Sequence, residues 1–398
     1  MELLAPGGSL EKLKYAMLYG ADAVYAAGKN FGLRAKSTNL SNDELNYAVN
    51  FVHDKGKKIY ITVNIFAHNA QIELMPEYLK FLSTIKPDAL IISDPGVFEM
   101  ARQFAPNIPI HISTQANVTS WSSAKFWAKM GALRIILARE LSLNEIKKMH
   151  EKVPEVELEM FVHGAMCMSY SGRCLLSAFL NGRNANLGNC SQPCRWKYHI
   201  MEEKREGEYF QITEDNYGTY ILNSKDLSLI KRLKEIKDAG ISSVKIEGRM
   251  KSIYYVANVV RTYRKAIDDI DLPYNEKFTD ELDRVSHRVY TEAFVDNFDS
   301  SDTQYHKTSS YIRKYQVLGY IKEVQDKTIL LDVRAKFSLG EMVEIIYPDL
   351  NNDKSFTVKE IFDETGEEIE FTKPNTFVKV GVPFISRENG ILRKKILG

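Results

Sequence analysis

Short apolar segments alternate with helical patterns through the first 250 residues, and this alternation limits the possible folds more than any other feature of the chain. Strands that alternate with helices predict a parallel sheet covered on both faces. Eight such segments favour closure into a (β/α)8 TIM-like barrel over an open doubly wound sheet. The segments are Leu3–Ala5, Ala23–Ala26, Ile59–Val63, Ala89–Ser93, Ile108–Ser113, Arg134–Ala138, Val156–Val162 and Val244–Glu247.

The intervening helical patterns carry start and stop signals. Ser9 is placed to cap a helix, and Ser41 with Glu44 and Ser142 with Glu145 have the spacing of capping boxes. Glycines at 20, 56, 131 and 240 each close a helical run before the next strand, where a left-handed residue is needed. No GxGxxG motif follows the first strand, so the sequence gives little support to a dinucleotide-binding fold.

The pattern changes after the eighth strand. A helical stretch, SIYYVANVVRTYRKAIDD, leads to the polar connector DNFDSSDTQYHKTSS, and short alternating strands follow. We predict a barrel over residues 1–295 with a cysteine-rich insertion at 163–200, a linker at 296–307, and a small all-β barrel domain at 308–398. The basic end of the chain, LRKKILG, either contacts RNA or is a solvated terminus.

All four cysteines of the chain fall within 28 consecutive positions. They lie in the interval of about 80 residues between the seventh and eighth strands, where barrels build active sites. Their spacing, C-x6-C-x15-C-x3-C, has no CxxC knuckle, so a 4Fe-4S cluster is favoured and zinc stays an alternative. The ligands would be Cys167, Cys174, Cys190 and Cys194.

The surroundings of the cysteines fit an anionic centre. Residues 160–201 contain no Asp or Glu, although 52 of 398 residues are acidic, and they contain Arg173 and other basic residues. The net charge of +1 gives no general attraction to nucleic acid. The chain has no apolar run of membrane-spanning length and no basic start typical of a secretory signal, so we expect a cytoplasmic protein with no membrane partner.

The run Glu159 to Ser177, EMFVHGAMCMSYSGRCLLS, resembles the signature of the collagenase-like peptidase family, peptidase family U32, at every fixed position. The opening ELLAPGGSLEKLKYAMLYGADAVYAAG and the later KIEGRMKS are also similar to this family. Members of the family are implicated in RNA hydroxylation and in oxygen-independent ubiquinone hydroxylation. In the ubiquinone branch, cysteines in a similar pattern ligate a 4Fe-4S cluster.

Chain length and the added β domain make the sequence most similar to the branch that forms 5-hydroxyuridine at the tRNA wobble position. This resemblance implies tRNA as the partner, prephenate as the co-substrate and a 4Fe-4S cluster on the four cysteines. An electron donor or a paralogous subunit is a further expected partner.

Two other functions stay open. A peptidase would fit the family label, but the sequence has neither HExxH nor GxSxG, and a Cys167–His163 pair would need a helix that Gly164 disfavours. A core or strand-end position is therefore the better interpretation of His163. The second alternative is a non-catalytic RNA-binding protein with structural zinc.

Substrate-binding candidates are polar residues at predicted strand ends. Prephenate carries two carboxylates, and arginine binds carboxylate with two parallel hydrogen bonds, so Arg249 is the first candidate, followed by Arg139 and Arg173. Asn64, His111 and Gln115 are further candidates, and helix capping at Ser113 is the alternative role of this region.

Overall fold

A closed barrel of eight parallel strands forms the larger part of the protein. The computed structural model describes residues 1–29, 31–32, 39–166, 214–215, 218–219, 225–296 and 311–396. Ser243 of the last barrel strand pairs with Glu2 on one side and Glu159 on the other, which closes the ring and confirms the predicted (β/α)8 fold. The barrel strands are β1 (Glu2–Pro6), β2 (Ala23–Ala26), β3 (Lys58–Val63), β4 (Ala89–Ile92), β5 (Ile110–Ile112), β6 (Arg134–Ile136), β7 (Glu157–Ala165) and β11 (Ile241–Ile246).

Three short strands lie in the described part of the interval between β7 and β11. Strands β8 (Glu214–Asp215) and β9 (Gly218–Thr219) pair with each other, and β10 (Asp226–Ser228) pairs antiparallel with the end of β7. After the barrel, β12 (Tyr290–Thr291) pairs with β10. The sheet therefore extends beyond the closed ring at the strand that leads to the cysteines.

Helices cover the outside of the barrel, and the predicted capping residues begin three of them. The Ser9 side chain accepts from the Lys12 amide, and Ser41 with Glu44 and Ser142 with Glu145 form complete capping boxes. The helices are α1 (Leu10–Leu18), α2 (Asn42–His53), α3 (Asn69–Ile72), α4 (Met75–Ile85), α5 (Pro95–Phe104), α6 (Trp121–Lys129), α7 (Leu143–Lys152), α8 (Leu233–Asp238), α9 (Ile253–Asp268) and α10 (Lys277–Leu282). No helix in the described ranges has the length and apolar character that a membrane crossing requires.

Gly240 shows why glycine ends these helical runs. Its φ is 93°, a left-handed conformation, and an added Cβ would lie 2.3 Å from the ring of His150. The three other predicted helix-ending glycines also have positive φ, which confirms the predicted stops.

The C-terminal domain is a seven-stranded antiparallel sheet around its own hydrophobic core. Its strand order is β16-β15-β19-β13-β14-β18-β17, and the two edge strands are not paired with each other in the described residues, so the domain is a half-barrel. The strands are β13 (Tyr315–Gln325), β14 (Thr328–Val333), β15 (Met342–Ile346), β16 (Lys354–Thr357), β17 (Ile361–Phe362), β18 (Phe377–Gly381) and β19 (Ile391–Lys395).

The described part of the basic segment LRKKILG, residues 392–396, is not a free tail. Residues 391–395 form β19, which lies between β15 and β13 near the centre of the sheet. Arg393 is completely buried there. Its ionic partners come from distant parts of the chain, so the local sequence did not show that Arg393 would be buried.

The two domains share a buried interface. Tyr320, Ile346, Leu350 and Ile391 of the β domain belong to the same hydrophobic cluster as the barrel core. The predicted linker at 296–307 lies outside the described residues except for position 296, and so does the predicted insertion beyond residue 166.

Candidate functional site

Charged side chains fill part of the barrel interior, where apolar residues are usual. The Arg134 guanidinium lies 2.5 Å from Glu2 Oε1 and 3.0 Å from Glu159 Oε2, and Lys245 Nζ lies 3.1 Å from Glu159 Oε1. Burial lowers the pKa of Lys245, and Glu159 opposes that effect by favouring the ammonium form. These buried cations and anions neutralise one another, which offsets the cost of burying each charge.

Beyond this network, aromatic and charged groups gather at the carboxyl ends of the strands, which we call the barrel mouth. The Tyr25 hydroxyl lies 3.2 Å from Glu247 Oε2. The guanidinium carbon of Arg139 lies 4.2 Å from the centre of the Phe161 ring, and Arg139 Nη1 donates to the Ala165 carbonyl at 2.8 Å. Arg139 forms no ion pair within the described part of the chain.

Arg249 follows β11 at the same mouth. It is 4% exposed, and its Nη2 donates to Asn39 Oδ1 at 2.6 Å. Burial and Glu247 raise the pKa of the Tyr25 phenol well above its usual value, and the charges of both Arg249 and Arg139 oppose that rise. The structure therefore brings two of the three predicted arginines to one end of the barrel.

Packing explains why a glycine occupies position 248, which the sequence did not show. An added Cβ would lie 2.7 Å from Tyr255 Cε1, so packing against this ring already requires a glycine.

Asn64 and Gln115 also lie near the carboxyl ends of their strands. Asn64 Nδ2 donates to Ser113 Oγ at 3.3 Å, and Ser113 caps the short 3-10 helix Thr114–Ala116 that contains Gln115. Gln115 Oε1 is buried and has no hydrogen-bond partner in the described ranges. The region thus combines the helix-capping role with a carboxamide that a ligand could satisfy.

His111 lies deeper than these residues. It is inside β5, 2% exposed, with its ring 4.8 Å from the Tyr60 ring. Burial lowers the pKa of His111 well below its usual value, and the Arg134 charge lowers it further. The structure therefore groups this neutral imidazole with the interior network and not with Arg139 and Arg249.

His163 is a core residue, as the sequence favoured. It lies in β7 with 1% exposure, and its ring is between 5.4 and 5.9 Å from the rings of Tyr255, Tyr263 and Tyr290. Burial lowers the pKa of His163 to about 3. Because His163 is in a strand, the helical spacing that a Cys167–His163 pair would need does not form.

The four cysteines and Arg173 lie outside the described residues. The chain enters their segment from the mouth, since β7 ends at Ala165 and Arg139 donates to the Ala165 carbonyl. In the described ranges, no group of three or more His, Cys, Asp or Glu residues could hold a metal ion.

Sequence reasoning missed the interior charges and Tyr25. A signal was present, because Glu157 and Glu159 alternate with apolar residues in ELEMF, and Lys245 and Glu247 do the same in VKIEG. This period of two places charge on one face of a strand, and a barrel turns that face inward.

These features define a class of protein: a parallel barrel with a polar mouth at the carboxyl ends of its strands, joined to an antiparallel β domain. The chain belongs to peptidase family U32. The family model "Peptidase family U32" matches residues 8–305, and "Peptidase family U32 C-terminal domain" matches residues 313–393.

Relatives within this family are similar over nearly the whole chain. The "tRNA hydroxylation protein P" of Escherichia coli is 39% identical over 92% of this chain and 90% of its own length. The "tRNA hydroxylation protein P1" of Bacillus subtilis is 39% identical over 93% and 88%. An "uncharacterized protease" of Methanocaldococcus jannaschii is 39% identical over 87% and 86%.

Proposed function

We propose that this chain is a tRNA-modifying enzyme that hydroxylates the wobble uridine to 5-hydroxyuridine. The supporting observation is its similarity to two relatives named for tRNA hydroxylation, which extends over both domains. Peptidase activity has weaker support, because His163 is buried in a strand and the chain lacks HExxH and GxSxG.

The proposed cofactor is a 4Fe-4S cluster on Cys167, Cys174, Cys190 and Cys194. Support comes from their spacing and from the absence of acidic residues at 160–201. A bound cluster would supply one-electron transfer to such a reaction. Zinc in its place would support only a structural role.

The proposed prephenate site is the barrel mouth. Arg249 and Arg139 present guanidinium groups there, and Arg173 is the third proposed carboxylate ligand. Asn64 and Gln115 can orient a polar ligand from the neighbouring strands. Tyr25 stays protonated near neutral pH because burial raises the pKa of its phenol, so its hydroxyl can hold a proton next to Glu247.

Expression in a bacterial strain that lacks its own tRNA hydroxylation protein tests the function. In the complemented strain we expect mass spectrometry of digested tRNA to detect 5-hydroxyuridine or the nucleoside that the cell makes from it. Lys336→Ala, an exposed change in the β domain, serves as the control that keeps activity. Unmodified tRNA in cells with soluble, iron-containing protein would contradict the proposal.

Two further measurements separate the alternatives. Anaerobically purified protein that is brown and contains iron supports the cluster, whereas colourless protein with stoichiometric zinc supports the RNA-binding alternative. Cleavage of gelatin by protein that leaves tRNA unmodified would support a peptidase. The expected setting is the cytoplasm, with an electron donor or a paralogous subunit as a further partner.

A further inference from the structure

A cleft of about 550 Å³ lies between the barrel mouth and the β domain. Its walls come from Ala165 and Met166 at the end of β7, residues 247, 248 and 250–252 after β11, the start of α9, and residues 311, 313 and 315–317 of the β domain. We call it the interdomain cleft. Glu247 lines this cleft and also bonds Tyr25 in the barrel mouth, so the two spaces are neighbours.

Two cations line the cleft, and Lys251 is also near enough to Asp226 for its charge to lower the pKa of that carboxyl. Lys251 and Arg313 form no ion pair in the described part of the chain, although Lys314, next to Arg313, pairs with Asp283. Glu247 is the one acidic side chain among the described lining residues. The cleft is therefore a local basic site on a chain whose net charge is only +1.

Aromatic rings lie beside these charges. Lys251 Nζ is 4.7 Å from the centre of the Tyr311 ring and 5.1 Å from that of Tyr255. Tyr311 is 36% exposed, so part of its ring is open to a ligand, whereas Tyr255 is 3% exposed. Cations beside an accessible ring suit a ligand that carries phosphates and flat bases.

We propose that the interdomain cleft binds single-stranded nucleotides of the RNA substrate beside the base that reacts. Tyr311 stacks on a base, and Lys251 and Arg313 contact phosphates. The volume lies within the usual range of about 300–1,000 Å³ for ligand sites. This inference rests on the proposed function, because the nucleotides it places are those next to the target uridine in the anticodon loop.

The test uses the full-length protein and two fluorescent RNA probes, an anticodon stem-loop hairpin and a blunt duplex without a loop. Lys251→Ala/Tyr311→Ala is compared with Lys336→Ala/Phe371→Ala, because Lys336 Nζ lies 4.0 Å from the Phe371 ring on the β domain outside the cleft. We expect the cleft variant to bind the hairpin at least fivefold more weakly, as loss of one stacked base predicts. The control should bind it like the wild type.

Conservative and charge variants make the test specific. Tyr311→Phe should bind the hairpin like the wild type, because it keeps the ring. The logarithm of the binding constant falls linearly with the logarithm of the salt concentration. Lys251→Ala and Arg313→Ala should each reduce the magnitude of this slope by about 0.7, the value for one phosphate contact on a single strand. Duplex binding should change little in Tyr311→Ala, since paired bases cannot stack on the ring.

The outcomes separate this inference from the proposed function. Suppose that the wild-type protein modifies tRNA and the cleft variants bind the hairpin as tightly as the wild type. This result would overturn the RNA-binding role of the cleft and leave the proposed function standing. Wild-type protein that neither prefers the hairpin nor modifies tRNA would overturn both. Unchanged thermal melting of each variant shows that a binding loss does not come from unfolding.

Discussion

His163 is held neutral by its position between tyrosine rings. Burial lowers its pKa to about 3, whereas a histidine in an unfolded chain has a pKa near 6.5. Between these pH values the unfolded chain binds a proton that the folded protein does not. The free energy of unfolding therefore falls as the pH drops from about 6.5 to 3, by roughly 1.4 kcal/mol per pH unit from this residue.

We predict that His163→Phe reduces the pH dependence of stability. Phenylalanine keeps an aromatic ring among Tyr255, Tyr263 and Tyr290 and cannot bind a proton in the unfolded chain. The loss of unfolding free energy between pH 7 and pH 5 should shrink by roughly 2 kcal/mol in the variant. Urea unfolding at both pH values measures it, and equal pH dependence in both proteins would contradict the prediction.

Arg249→Ala tests the proposed prephenate site. Arg249 is buried at the mouth, and removing one partner of a desolvated charge pair typically costs about 2–5 kcal/mol. We expect prephenate to bind more than tenfold more weakly, with unchanged iron content. Arg249→Lys keeps the charge without the bidentate fork and should give an intermediate affinity. Equal affinities of mutant and wild type in calorimetry would remove Arg249 from the site.

The cysteine segment is an element whose folding should depend on its metal. We predict that Cys190→Ala, like replacement of any of the other three cysteines, lowers iron content and thermal stability together, because cluster binding is coupled to folding of its ligands. Ser191→Ala, at the adjacent position, serves as the control and should keep its iron. Full iron content in any single cysteine variant would show that the four-ligand assignment is wrong.

At the level of helices and strands, local signals predicted most of the barrel. Ser41 with Glu44 and Gly240 act within one turn of the chain, so their roles are readable without knowing the fold. Arg393 shows the limit of this approach. Its position in a central strand depends on Glu281, which is 112 residues away, and no local pattern records that contact.

The candidate site was predictable in part for the same reason. The carboxyl ends of parallel strands meet at one rim, so the approximate positions of Asn64, Arg139 and Arg249 followed from strand order. The depth of His111 did not follow, because register and side-chain direction decide whether a polar residue lies at the rim or inside. The interior charges escaped because each finds its partner on a strand that is distant in the sequence.

At the scale of the whole molecule, a buried ionic cluster joins the two domains. Arg261 of α9 lies 2.6 Å from Glu281 of α10 and 2.7 Å from Asp353 of the β domain. Arg393 of β19 lies 3.2 Å from Glu281 and 2.8 Å from Glu344 of β15. The cluster fixes the β domain against the barrel, and this arrangement forms the walls of the interdomain cleft.

Arg393→Ala tests how strongly the two domains are coupled. The change leaves Glu281, which is 1% exposed, with one fewer cation, and loss of one partner of a buried ion pair costs about 3–5 kcal/mol. We expect urea unfolding to show a loss of this size, and Arg393→Ala in a Glu281→Gln background to cost less, because the stranded charge is then absent. Lys336→Ala, on the exposed face of the same domain, should change stability by less than about 0.5 kcal/mol. If Arg393→Ala lowers the free energy of unfolding equally in both backgrounds, Glu281 does not mediate the coupling. If the loss is below about 3 kcal/mol and the variant binds the hairpin more weakly, the position of the β domain affects RNA recognition.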